Sequence, residues 1–291
     1  MELLVAQVIN GLAVGSIYAL LAVGINLLSL VKGIFHFSYP HITVLSMYVC
    51  WMVLERTNDN LALAIPAAII AAIVLVTLTE PLFRPIARPE THTETLILAL
   101  GVGIVMIEIM SHHIHHGMPV GFPSTIVGGG GRLQAGLISI SLGHIYSIVG
   151  GIAAVIGLVY FLFRHKLGRA FRAIAQDPGT ARLLGIPITK SGIYSFGIAG
   201  LLAGIIAIFL IMNLGAASPP LAELLALKAF IVVIVAGNGN LKGGIIIGLV
   251  IGLAEALAQA YLPGRWTDSI VFGAIMTALM IRPEGLFGAR A

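Results

Sequence analysis

Long apolar runs govern what this chain can fold into. Stretches of about twenty residues with few or no charges recur from one end to the other. That length matches the hydrocarbon thickness of a bilayer. Hydrophobic residues make up 58% of the 291 positions and charged residues only 10%, against about 25% charged in an ordinary soluble domain. Lipid offers no partner for backbone N–H and C=O groups, so a spanning segment is either a helix or part of a closed barrel. The runs are continuous rather than alternating with period two, which selects helices. The expected fold class is an all-α integral membrane protein, one polytopic domain over 1–291. The 35 glycines suit close helix–helix approach in lipid. The net charge of +4 comes mostly from loop cations that orient spans and is not a nucleic-acid footprint. The one cysteine, Cys50, can form no disulfide within the chain. The opening MELLVAQVINGLAVG lacks a basic leader region and enters a span directly, so no cleavable signal peptide is expected.

About nine spans (8 to 10) are expected, each near the ~20 residues a bilayer requires. They cover 4–28, 34–54, 61–79, 95–112, 144–163, 191–212, 222–236, 243–262 and 267–281. The seventh and ninth are short. Pro40 is expected to break or kink the second, and irregular backbone at membrane depth is tolerated only against protein or a water path. With the N-terminus outside, the inner face receives Lys32, Arg84, Arg88, Arg164, Lys166, Arg169, Arg172, Arg182, Lys190, Lys242, Arg282 and Arg290. The outer face keeps Arg56, Arg132 and Arg265. This asymmetry predicts N-out, C-in and an odd number of spans.

The segment 164–190 is then a cytoplasmic loop, and 113–143 an extracytoplasmic one. Within the former, RAFRAIAQDPGTARLLGIPITK (169–190) carries helix punctuation. Asp177 is a good N-cap and Pro178 suits the first helical position. Gly185 fits a C′ stop and Pro187 blocks continuation. The enclosed two turns are not stable alone in water. Either they dock on the bundle or a partner, with Leu183 and Leu184 as a small apolar face, or the segment is a plain connector.

GRAFRAIAQDPGTARLLGI resembles the cytoplasmic coupling segment of bacterial ABC-importer permeases of the branched-chain amino-acid type. The matching residues are Gly168-Arg169, Ala173, Ala175, Asp177, Ala181 and Leu184-Gly185-Ile186. GSIYALLAVGINLL (15–28) resembles the family's first span. KAFIVVIVAGNGNLKGGIIIGLVIGLAEAL (228–257) resembles its Gly-rich pair, and IRPEGLFG (281–288) its closing signature. The likeness runs end to end and is poorest in 113–143. It departs at FHFSYPH (35–41), at AGNGNLKGG (236–244) and at Gln176-Asp177, where the family often has Asn-Phe-Ala-His-Gly, a Gly-Gly-x-Gly turn and Glu-Asp. The resemblance implies a multi-pass protein of the bacterial inner membrane. It implies two ABC ATPase subunits, a second similar but non-identical permease and an extracytoplasmic solute-binding protein as partners. The solute would be a branched-chain amino acid or a related small amide or acid. Ala175, Asp177, Pro178, Ala181, Arg182, Leu183 and Gly185 would then face the ATPase.

No G-x-x-x-x-G-K-[ST] phosphate loop occurs, since GNGNLKGG lacks the Lys-Ser/Thr ending. The chain is therefore expected to be no enzyme and to hold no cofactor, with ATP and Mg on the partner ATPases. Charges at bilayer depth are costly and usually face a bundle interior or a water path. Lys228 and Glu255 fall at matching depth in adjacent spans and are expected to pair, pinning two helices. Glu108 is expected near the outer interface, and Glu223 is a further intramembrane candidate. Asn26, His36 and Ser38, where the first two spans meet, are candidates for the translocation path. Their alternatives are interhelical hydrogen bonds and a satisfied interior histidine. The runs Gly11/Gly15, Gly200/Gly204 and Gly244/Gly248/Gly252 mark close packing within the chain or against a partner. SHHIHHGMP (111–119) has an i, i+4 histidine pair without a nearby carboxylate or cysteine, and no metal is expected. VGGGGR (127–132) reads as a flexible outer loop. Two other classes remain open: an ion-coupled secondary transporter, and a sugar-type permease on the same scaffold.

Overall fold

A computed structural model describes residues 2–86, 92–135 and 138–261, together with positions 269, 272, 273, 276, 277, 280 and 285–287, and ten α-helices run through the described stretch 2–261. They are α1 (Glu2–Lys32), α2 (Tyr39–Arg56), α3 (Leu61–Phe83), α4 (His92–Glu108), α5 (Leu142–Arg164), α6 (Lys166–Gln176), α7 (Pro178–Leu183), α8 (Ile188–Leu214), α9 (Pro219–Ala236) and α10 (Leu241–Tyr261). A π-helical turn, Ile109–His113, extends α4. Among the described residues, seven helices are long and apolar enough to cross a membrane: α1, α3, α4 with its extension, α5, α8, α9 and α10. The protein is a multi-pass membrane protein. The expected ninth span, 267–281, falls largely outside the described residues.

The second expected span, 34–54, corresponds to α2, which is less apolar because it lies inside the bundle, packed on α3, α8 and α9. Most of its residues are buried, including Tyr39, His41, Thr43 and Ser46. Pro40 does not kink this helix. It stands in the first turn, where the missing N–H is harmless, and the break falls earlier. Residues 33–38 are irregular, with Ile34, His36 and Ser38 buried against protein.

The core forms around α1, whose most apolar stretch is 89% buried, whereas α3 and α5 bury only 22% of theirs and hold the periphery. Glycine sets the closest approach. A Cβ at Gly248 would come within 2.5 Å of the Ala19 nitrogen, and one at Gly15 within 2.9 Å of Leu249 Cα. A Cβ at Gly252 would meet the backbone of Gly15 itself. Gly200 and Gly204 bring α8 onto α3 in the same way, each with room for no Cβ within 2.6 Å of Ile73 or Ile69 Cα. All three glycine runs thus serve packing within the chain.

The segment 113–143 shows two features that the sequence did not announce. It contains short strands that leave the all-α class intact: β1 (Val120–Gly121) pairs antiparallel with β4 (Ala216–Ala217), and β2 (Arg132–Ala135) pairs with β3 (Ile138–Ser141). The glycine run is a fixed turn rather than a flexible loop. Gly128, Gly129 and Gly130 take positive φ values of 66°, 69° and 75°, a conformation glycine enters without strain. The turn is held by Ser141 Oγ donating to Gly128 O at 3.1 Å.

Candidate functional site

Two constellations stand out: an exposed helix with bare leucines, and polar groups enclosed in the bundle. The first is α7. Asp177 is extended (φ −156°, ψ 104°), and its carboxylate accepts from the Gly179 N–H at 2.8 Å and from the Thr180 hydroxyl. The Thr180 hydroxyl, then the Thr180 and Gly179 amides, hold the Asp177 carboxyl below the usual carboxylate range. Pro178 fills the first position. At the other end Gly185 has φ +78°. Its N–H donates to Arg182 O and the Ile186 N–H to Ala181 O, both at 3.0 Å. These are the two bonds of a Schellman stop. Only Ala181 is buried, and it anchors the turn. Ala175, Asp177, Pro178, Arg182 and Gly185 are exposed. Leu183 is 88% exposed and Leu184 74%.

The second constellation crosses three helices. Lys228 Nζ lies 2.6 Å from Glu255 Oε1, joining α9 to α10. Tyr18 of α1 donates to Glu255 Oε2 at 2.8 Å, and Lys228 donates to the Tyr18 hydroxyl at 3.2 Å. Gln259 adds a bond to Glu255 at 3.3 Å. Both charges are buried and fully engaged, which is the condition for tolerating them in an apolar bundle.

Asn26, His36 and Ser38 are all fully buried. Asn26 accepts from the Gly239 N–H at 2.9 Å and donates to Asn240 O at 3.3 Å, clamping the α9–α10 turn onto α1. His36 meets Thr79 Oγ1 at 2.8 Å and Ser38 Oγ at 3.1 Å, with Phe83 and Phe196 around its ring.

Glu80 is a buried charge that the sequence reading passed over. It lies near the end of α3, 1% exposed, with Lys32 Nζ at 3.1 Å and Arg84 Nη2 at 2.5 Å. The available signal was the Glu-x-x-x-Arg spacing at the close of an apolar run. Glu108 and Glu223 are exposed. Glu108 supplies the carboxylate thought missing beside the histidines, 2.9 Å from His112 Nδ1.

Comparison with known proteins gives these features their setting. The profile of the family described as branched-chain amino acid transport system, permease component, matches residues 7–280. The chain belongs to that family of transport permeases. It is 28% identical to the high-affinity branched-chain amino acid transport system permease protein BraD of Pseudomonas aeruginosa, over 97% of this chain and 95% of that one. It is equally 28% identical to the permease protein LivH of Salmonella typhimurium, over 97% and 94%. Its fold resembles that of PsaBC from Streptococcus pneumoniae in complex with Fab, with a TM-score of 0.50 and 14% identity over 94% of this chain and 91% of that one.

Proposed function

We propose that this chain is the membrane-spanning subunit of an ATP-driven importer in the bacterial inner membrane. It forms part of the path for a branched-chain amino acid or a related small amide or acid, delivered by an extracytoplasmic binding protein. Two ATPases drive it, and a second, similar permease completes the pore. The N-terminus lies outside. The excess of Lys and Arg on the segments that then fall inside supports this orientation. Residues 164–190 are the cytoplasmic coupling loop and 113–143 lie on the extracytoplasmic face. Solute class rests on the full-length similarity to BraD and LivH.

The observation that carries the reading is α7. A two-turn helix capped at both ends, whose leucines point into water, is built for a partner. Isolated helices of this length are unstable, and bare leucines on the water side are stabilised by burial of roughly 1.5–3 kcal/mol each. A rigid element of this kind passes ATPase closure to α8, from which four residues separate it, as a rigid-body displacement.

The test is co-purification of the importer's ATPases with wild type and with a Leu183→Ser, Leu184→Ser variant. The expected result is capture by wild type and loss in the variant, with the melting temperature of the permease unchanged. Equal capture by both would remove α7 from the interface. No capture by either would remove the importer reading.

A further inference from the structure

The cytoplasmic corner between α5 and α6 joins an apolar stripe to unpaired cations. Val149, Ile152, Ile156, Tyr160 and Phe163 are exposed on α5 at helical spacing. They form one face directed away from the bundle, along a helix apolar enough to span. At the end of that stripe the chain turns, and Arg172 of α6 lies over the Phe163 ring, its Cζ 4.5 Å from the centroid. Arg172 is half-buried, and its enclosed Nε has no acceptor. Among the described residues no carboxylate pairs with Arg172, nor with Arg164, Lys166 or Arg169. The nearest acid in sequence, Asp177, is committed to capping α7.

We propose that this corner is a binding site for an anionic phospholipid. One acyl chain lies along the α5 stripe and the phosphate meets the Arg172 guanidinium. Arg164, Lys166 and Arg169 add to the local field. Three physical points favour a lipid over a soluble acidic partner. The Phe163 ring under Arg172 continues the stripe that must face hydrocarbon, which a water-soluble surface would not cover. Guanidinium presents a planar fork that matches phosphate while stacking on an aromatic face. A half-buried cation without a counter-ion carries a desolvation cost that an anionic headgroup offsets.

The test is native mass spectrometry of the purified full chain with equimolar phosphatidylglycerol and phosphatidylcholine, alongside melting curves with each lipid and with inorganic phosphate. Phosphatidylglycerol is expected to be retained preferentially and to raise the melting temperature, whereas inorganic phosphate does not. Arg172→Gln should lower the preference about fivefold, near the ~1 kcal/mol that one juxtamembrane cation contributes. If Arg172→Gln folds poorly, the exposed pair Arg164→Gln, Lys166→Gln should lower the preference in the same direction. Equal retention of both lipids, or protection by inorganic phosphate equal to that by phosphatidylglycerol, would overturn the site. So would an undiminished preference in whichever variant folds.

Discussion

Lys228 Nζ and Glu255 Oε1 meet at 2.6 Å inside the bundle, and Tyr18 touches both. One short contact therefore fixes the register of α9 and α10 and ties both to α1. Removing one partner leaves a buried charge uncompensated, which costs about 3–5 kcal/mol. Lys228→Met is expected to lower the melting temperature sharply in detergent. Lys228→Met with Glu255→Leu should recover most of the loss, because an apolar pair of similar volume replaces the ionic one.

At Gly248 the α1–α10 seam admits no side chain. Gly248→Val should destabilise by about 1–3 kcal/mol or more, since the obstructing atoms are the Ala19 backbone and cannot swing aside. Gly101→Ala in α4 is the matched control. A Cβ there meets nothing within 4 Å, so thermal melts should show no loss and a gain of up to about 1 kcal/mol from helix propensity.

Asn26 separates a packing role from a path role. Asn26→Ala leaves the Gly239 N–H without its acceptor, at a cost of about 1–3 kcal/mol. The expected outcome is a lower melting temperature with an unchanged KM for uptake in the assembled transporter. A changed KM at full stability would place Asn26 on the path.

The α7 cap is sensitive to acid. Asp177 has its carboxyl held below the ordinary range by Thr180 and by the Thr180 and Gly179 amides. A depressed folded-state value means the cap's contribution is fully present above the unfolded carboxylate value of about 3.9. It is lost as pH falls through the lower folded value. A spin label at Arg182→Cys should stay immobile from neutral pH to near pH 4 and loosen only below it, while the same label in an Asp177→Ala background should be mobile throughout.

Legibility differed by element. The α7 boundaries were readable because Asp-Pro and Gly-x-Pro have local backbone consequences that hold in most contexts. The glycine runs and the Lys228–Glu255 contact were readable because small residues and buried charges have few uses in lipid. His36 was less so. A histidine beside a helix break suits a path and a sealed interior equally well, and its neighbours Thr79, Phe83 and Phe196 come from helices distant in sequence. Glu80 escaped because its partner Lys32 is 48 residues away in sequence. The fixed turn at 128–130 escaped because composition records glycine's freedom but not the neighbours that use it up.

The most direct test of the central claim is solute uptake into proteoliposomes that hold this chain with its ATPases, its companion permease and its binding protein. Uptake of a branched-chain amino acid or related small solute should require ATP and all components, and should persist when ionophores collapse every ion gradient. Uptake by the purified chain alone, driven by an ion gradient and indifferent to ATP, would contradict the account.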